Sequence, residues 1–196
     1  LFPDRILRRL HIITLAMQKD ALTSFILGES KLARTVGERD EDVDRLYFLL
    51  VRVVRAALTD PTIAEKLGAT PIDCLDYRIL ASLVERFADY ATDIARSAWS
   101  RPGGRDMPST ARSIERAGSI LNRMHKDAVD AVFTRNLALA QEVTRRSADV
   151  AASVKIAERG LVNAKPETID RLATVVSALK AMSGINVDIA DLTITR

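Results

Sequence analysis

Two stretches of this sequence hold carboxylates at helical spacing. In "RDEDVDRLYFLLVR", Arg39–Arg52, four acidic residues fill five consecutive positions before a nearly unbroken apolar run. Asp40 and Asp44 stand four residues apart, so on a helix their side chains share one face. In "VERFADYATDIA", Val84–Ala95, the residues Glu85, Asp89 and Asp93 repeat the same spacing, and Leu80, Leu83, Phe87, Ala91 and Ile94 take the opposite side. A row of three carboxylates with no Lys among them repels itself, and Arg86 and Arg96 offset only part of that charge. Oxygen donors from two helices suit a hard cation such as Mg, Mn, Fe or Ca. The competing reading is electrostatically plain: solvated helix faces, with Asp40 and Asp44 capping a helix that begins beside them.

Other chemistry finds little support. Neither His11 nor His125 follows a Glu by three residues, so the Glu-x-x-His pattern of di-iron bundles is missing. His125 reads as an ordinary polar position. Cys74, the single cysteine, has no base partner in the pattern, reads as a small packing residue and suits a reducing compartment. Trp99 reads as a packing anchor, and no phosphate-cradling glycine loop or nucleophile elbow is present.

The elements that would position these carboxylates are helices. Hydrophobic residues make up 47% of the 196, aromatics only 5%, and Gly (8) and Pro (6) are scarce, a composition that disfavours sandwiches and barrels. Periodicity divides the chain into about six helical segments. The first runs from Pro3 to about Val36 and the second from Asp40 to Leu58, with a short helical turn at Ile63–Leu67. The third opens at "TPID", where Thr70 caps, Pro71 fits the first turn and Asp73 faces free N–H groups, and continues to about Trp99. "SRPGGRDMP", Ser100–Pro108, breaks the chain. A fourth segment spans Ser109 to about Thr144, a fifth reaches Leu161, and a sixth runs from "KPETID" to Leu192.

No apolar stretch reads as long enough to span a bilayer, which takes roughly 18 residues, and no signal peptide is evident. The net charge of +3 is spread thinly. The clusters Arg5–Arg8–Arg9 and Arg145–Arg146 lack interleaved aromatics and read as solvated faces rather than nucleic-acid contacts.

The halves repeat. "MQKDALTSFILGESKLARTVGERDEDVD" from Met17 aligns without a gap on "MHKDAVDAVFTRNLALAQEVTRRSADVA" from Met124. Asp20 falls on Asp127 and Arg39 on Arg146, while "DIA" at Asp93–Ala95 recurs at Asp188–Ala190. The expected fold is all-α: two tandem three-helix bundles, residues 1–100 and 109–196, made by duplication. Asp40 and Asp44 meet Ser147 and Ala151 in the second copy, so the acidic pair is a specialisation of the first.

"RDEDVDRLYFLLVR" followed by "DCLDYRILASLVERFADYATDIA" resembles the PhoU family of phosphate-uptake regulators, and most closely its archaeal branch, in which "VDRLYFL", "LDYR" and an "ER-x-x-D" stretch recur. The resemblance spans essentially the whole chain. It implies a non-enzymatic intracellular regulator of phosphate homeostasis, cytoplasmic and not inserted in a membrane, that adapts transporter or sensor components. It also implies metal ions, iron or Mg, Mn or Zn, on paired acidic motifs that fall here on Asp40–Asp44 and Asp89–Asp93, with Glu85 one turn earlier. Tyr90 stands where the family often has His, and Lys180 and Gly184 replace Glu85 and Asp89 in the second copy. Archaeal relatives commonly carry an N-terminal DNA-binding domain. The start at Leu1 is compatible with its removal, and nucleic acid would be reached only through it. Phe48 and Leu49, outward of the Val43–Leu50–Val54 stripe, suggest a homodimer. The alternative function is a metal-free helical dimerisation module of a DNA-binding regulator.

Overall fold

The computed structural model describes residues 2–98, 108–162 and 164–194. Among the described residues all regular structure is helical, and there are seven helices rather than six: α1 (Pro3–Leu27), α2 (Ser30–Thr59), α3 (Pro61–Leu67), α4 (Pro71–Ala98), α5 (Pro108–Thr134), α6 (Leu137–Val162) and α7 (Pro166–Ile194). Trp99, and the expected break from Ser100 as far as residue 107, lie outside the described residues.

The seventh helix is α3, the short turn expected at Ile63–Leu67; the six long helices match in number, but two of their boundaries lie elsewhere because the breaks carry little signal in the apolar pattern. The first segment ends at Gly28, not near Val36; Gly28 takes a left-handed φ of 72° and its N–H closes on the Ser24 carbonyl at 2.8 Å. At the equivalent place in the second half Arg135 adopts φ 52°, and Asn136 then caps α6 through the Leu139 N–H at 3.1 Å. Asp40 and Asp44 therefore lie well inside α2 and cap nothing. The start of α4 follows the sequence expectation. Thr70 Oγ1 accepts the Asp73 N–H at 3.1 Å, while Asp73 Oδ2 accepts from the Thr70 N–H at 3.0 Å and from its hydroxyl at 2.6 Å, a reciprocal capping box.

Helices α1, α2 and α4 pack as one bundle and α5, α6 and α7 as another, and the two join through α4 against α7 and α1 against α5. The apolar core is continuous across both. The short α3, at the far end of α2, has no counterpart among the described residues of the second half. One ion pair is duplicated: Arg39 Nη1 to Asp20 Oδ2 and Arg146 Nη1 to Asp127 Oδ2, both 2.5 Å, tie the first and second helices of each bundle.

The seam between bundles is partly polar. Gln18 Nε2 donates to the Gly118 carbonyl at 3.0 Å, and Asn122 Nδ2 donates to Gln18 Oε1 at 2.7 Å and to the Leu15 carbonyl at 3.1 Å. His125 is not an ordinary polar position: it is fully buried, stacked on Phe87 with ring centroids 4.0 Å apart. Asn186 Nδ2 donates to the Leu121 carbonyl, so its Oδ1, 2.8 Å from His125 Nδ1, is the acceptor and fixes the proton on Nδ1.

Helix α7 also corrects the reading of apolar stretches. Thr168–Ile194 is long and apolar enough to cross a membrane, with a mean hydropathy of 1.3 over its most apolar window. Half of that window is buried inside the fold. It packs on α5 and α6 within its own bundle and on α4 across the seam, and a helix covered on several sides is apolar nearly all round.

Candidate functional site

Helices α2 and α4 run side by side in the first bundle. Each buries an apolar stripe: Val43, Leu50 and Val54 on α2, and Leu80, Val84, Phe87, Ala91 and Ile94 on α4. The sequence periodicity that sets those stripes inward leaves Asp40 and Asp44 at the edge of one helix, facing Glu85 and Asp89 at the edge of the other. Asp40 and Glu85 are half-buried, Asp44 and Asp89 exposed.

Three of the four carboxylates, Asp40, Glu85 and Asp89, are held above their usual range. Glu85 is pushed up from 4.5 to about 7, by burial first and then by the charges of Asp89, Asp44 and Asp40, with Arg78 opposing. Asp89 is raised by burial, then by Asp40, Asp44 and Asp93, with Arg96 opposing. Asp40 is raised by burial and by Asp44 and Asp93, while the Thr92 hydroxyl and Arg96 pull it back. Thr92 approaches Asp40 closely enough to matter, yet Asp40 Oδ1 and Thr92 Oγ1 are both buried without a partner at hydrogen-bonding geometry. Asp93 sits at the margin, where its Oδ1 takes Arg96 Nη1 at 3.5 Å.

The fit to a metal ion is one of donor chemistry. Several carboxylates, raised toward protonation, and an orphaned buried carboxylate oxygen are what a hard cation would satisfy. Among the described residues no three acidic, histidine or cysteine side chains converge closely enough to hold one ion, so binding requires the carboxylates to turn toward each other from their present rotamers. The second repeat offers a contrast at the same place. Ser147, Ala151, Lys180, Gly184 and Asp188 line a shallow cavity of about 350 Å³, and Lys180 pairs with Glu158.

The remaining candidates are structural. Cys74 is buried in the first turn of α4, where burial and Asp73 raise its thiol pKa, so it is no activated nucleophile. Among the sequence-predicted surface residues Phe48 is exposed and Leu49 is packed against the core. Sequence reasoning missed two features: the buried His125–Asn186 pair, and the gathering of Arg52, Arg55 and Arg78 beyond the carboxylates on α2 and α4.

The fold and site define a class of all-helical proteins built from two packed helical bundles. A crystal structure of PhoU from Pseudomonas aeruginosa superposes with a TM-score of 0.82 at 23% identity, over 98% of this chain and 93% of that one. The phosphate transport system regulatory protein PhoU from Streptococcus pneumoniae superposes equally well, TM-score 0.82 at 11% identity, over 98% and 91%. At such identities the likeness establishes the fold.

Residues 7–98 match the PhoU domain, so the first of the two bundles is a PhoU domain by sequence. It is 27% identical over 176 residues to a phosphate-specific transport system accessory protein PhoU homolog from Pseudomonas putida, and 29% identical over 150 residues to one from Clostridium acetobutylicum. Those alignments cover 85% and 76% of this chain but only 65% and 66% of the relatives' lengths.

Proposed function

We propose that this chain is a non-enzymatic regulator of phosphate uptake, accessory to a phosphate transporter or its sensor, acting in the cytoplasm and binding metal on its first repeat. The first part is supported by the match of residues 7–98 to the PhoU domain and by relatives whose names place them with phosphate-specific transport systems. Its test is physiological: cells lacking the protein should take up phosphate without restraint at high external phosphate, and the chain supplied in trans should restore restraint. Uptake that is equal with and without the protein would overturn it.

The metal reading is carried by one observation, the facing of Asp40 and Asp44 on α2 by Glu85 and Asp89 on α4, with Asp93 one turn beyond. An iron, manganese, magnesium or zinc ion there would offset the carboxylate repulsion and, by binding only the native state, raise the melting temperature. Asp44→Asn with Asp89→Asn should abolish both metal content and that gain, whereas Asp149→Asn with Asp188→Asn should change neither. Equal metal content in wild type and Asp44→Asn/Asp89→Asn protein would dismiss the site and favour the metal-free interaction module. A homodimer belongs to the same proposal, and light scattering showing a monomer at micromolar concentration would remove it.

A further inference from the structure

Along the same α2–α4 face, one turn beyond Asp44, the surface chemistry reverses sign. A groove of about 670 Å³ opens there, walled by Arg45, Phe48, Arg52 and Arg55 of α2 and by Arg78 of α4, with Asp44 closing its acidic end. Arg45 is committed to Glu41 at 3.0 Å and Asp42 at 3.1 Å. Arg52 and Arg55, both exposed, have no carboxylate partner among the described residues. Arg78 is half-buried, its guanidinium held 5.0 Å from the centroid of the Tyr47 ring. Arg78 also acts on the Glu85 carboxylate, so two guanidinium groups without carboxylate partners and a third only partly offset line one groove, an arrangement that costs mutual repulsion unless an anion enters.

The fold does not require them. In the second repeat the positions of Arg45, Phe48, Arg55 and Arg78 hold Ala152, Lys155, Val162 and Ala173, and only Arg52 is kept, as Arg159. The arrangement also has a direction. From Phe48 to Arg55 the groove follows the helix for about 10 Å at roughly 1.5 Å per residue, longer than a single phosphate needs. An aromatic ring that is 60% exposed stands at the end beside Asp44, and the guanidinium groups lie toward the other end. Planar guanidinium groups match phosphate oxygens two at a time, and an exposed aromatic ring offers a stacking face to a base. The volume lies within the usual range for small-ligand sites, about 300–1,000 Å³.

We propose that this groove binds a nucleoside di- or triphosphate, its phosphates on Arg52, Arg55 and Arg78 and its base stacked on Phe48. Asp44 repels phosphate from the near end and is placed to accept a hydrogen bond from an amino or hydroxyl group of the nucleoside. Binding here does not depend on metal at the carboxylate cluster.

Isothermal titration calorimetry in EDTA, at low and moderate salt, tests this with ATP, ADP, adenosine and tripolyphosphate as separate probes. ATP and ADP should bind, more weakly as salt rises, and adenosine should not. Arg52→Gln with Arg55→Gln should weaken ADP about tenfold or more, while Arg159→Gln, the second-repeat control, should leave it unchanged. Phe48→Ala should weaken ADP and leave tripolyphosphate unaffected, which separates nucleotide recognition from a generic anion patch. All four substituted residues are exposed, so melting curves should stay near wild type. The proposal is overturned if folded protein gives no heat with ATP or ADP at millimolar concentration. It is overturned equally if the arginine pair has no effect, if Phe48→Ala weakens both probes alike, or if affinity falls as protein concentration rises, which would place a second copy in the groove.

Discussion

Replacing Glu85 by Gln should stabilise the metal-free protein at alkaline pH and leave it unchanged in acid. The Glu85 carboxyl is raised from 4.5 to about 7 in the folded state, so between those values the native protein binds a proton that the unfolded chain has released. Stability contributed by this group is therefore full below about pH 4.5 and is lost as pH rises through about 7. Taken at face value the shift corresponds to about 3 kcal/mol at 1.36 kcal/mol per unit. Glu85 is half-buried, and water and salt screen its neighbours' charges, so about 1–2 kcal/mol is the working figure. In a chain of this size each kcal/mol moves the midpoint by about 2–4 °C. Melts recorded in chelator from pH 4 to pH 8 should show Glu85→Gln coinciding with wild type at pH 4 and melting about 2–8 °C higher at pH 8. Raising the salt concentration should narrow the gap by weakening the contributions of Asp89, Asp44 and Asp40, without closing it, because burial is the larger cause. Parallel wild-type and Glu85→Gln curves across the range would refute the claim that these carboxylates repel one another in the folded protein.

Two interior glycines should respond oppositely to alanine. A Cβ at Gly184 meets nothing within 4 Å, so Gly184→Ala should gain the helix-propensity difference of about 1 kcal/mol; a Cβ at Gly118 would lie 2.1 Å from Leu22 Cδ1 and 3.3 Å from Gln18 Nε2, so Gly118→Ala should lower the melting temperature by opening the seam between bundles. An acid arm should accompany the alkaline one. Burial lowers His11 to about 4 and His125 well below its usual value, so the unfolded chain takes up protons that the native one refuses; stability present above about pH 6.5 should fall as pH drops toward 4, and His11→Gln should flatten that decline in a pH series of urea melts. Loss of metal content on Asp44→Asn/Asp89→Asn, measured by elemental analysis after exposure to iron and manganese, completes the set.

The matching ion pairs and the start of α4 are legible in the sequence because they depend on local rules. The ungapped alignment from Met17 and Met124 anticipates the shared Asp20–Arg39 and Asp127–Arg146 ion pairs, and "TPID" anticipates the capping box. The break at Gly28 was available as a helix-ending glycine, but apolar periodicity on both sides conceals it. The break at Arg135 has no such marker, since a left-handed arginine is held there by the surrounding structure. The spacing of Asp40–Asp44 and of Glu85–Asp89 shows that each pair shares a face. That the two faces meet depends on how α2 and α4 pack, which no local pattern encodes. The same limit hid His125, whose polarity is absorbed by Asn186 from a distant helix, and the groove whose arginines come from two helices.

The divergence of the two repeats bears on why a repulsive cluster persists at all. Both copies keep the ion pair between their first two helices and the apolar stripes beneath, which is what the bundle requires. At the carboxylate positions the second copy has Ser147, Ala151, Lys180 and Gly184 for Asp40, Asp44, Glu85 and Asp89. There Lys180 attracts Glu158 where Glu85 is repelled by its neighbours. Single substitutions therefore relieve the strain without changing the fold, and one half of the molecule contains them. Natural chains tolerate locally unfavourable arrangements chiefly where function demands them. Four carboxylates kept at a cost in one copy, with three guanidinium groups kept at a cost beside them, make the α2–α4 face of the first repeat the part of the surface least explained by folding and best explained by binding.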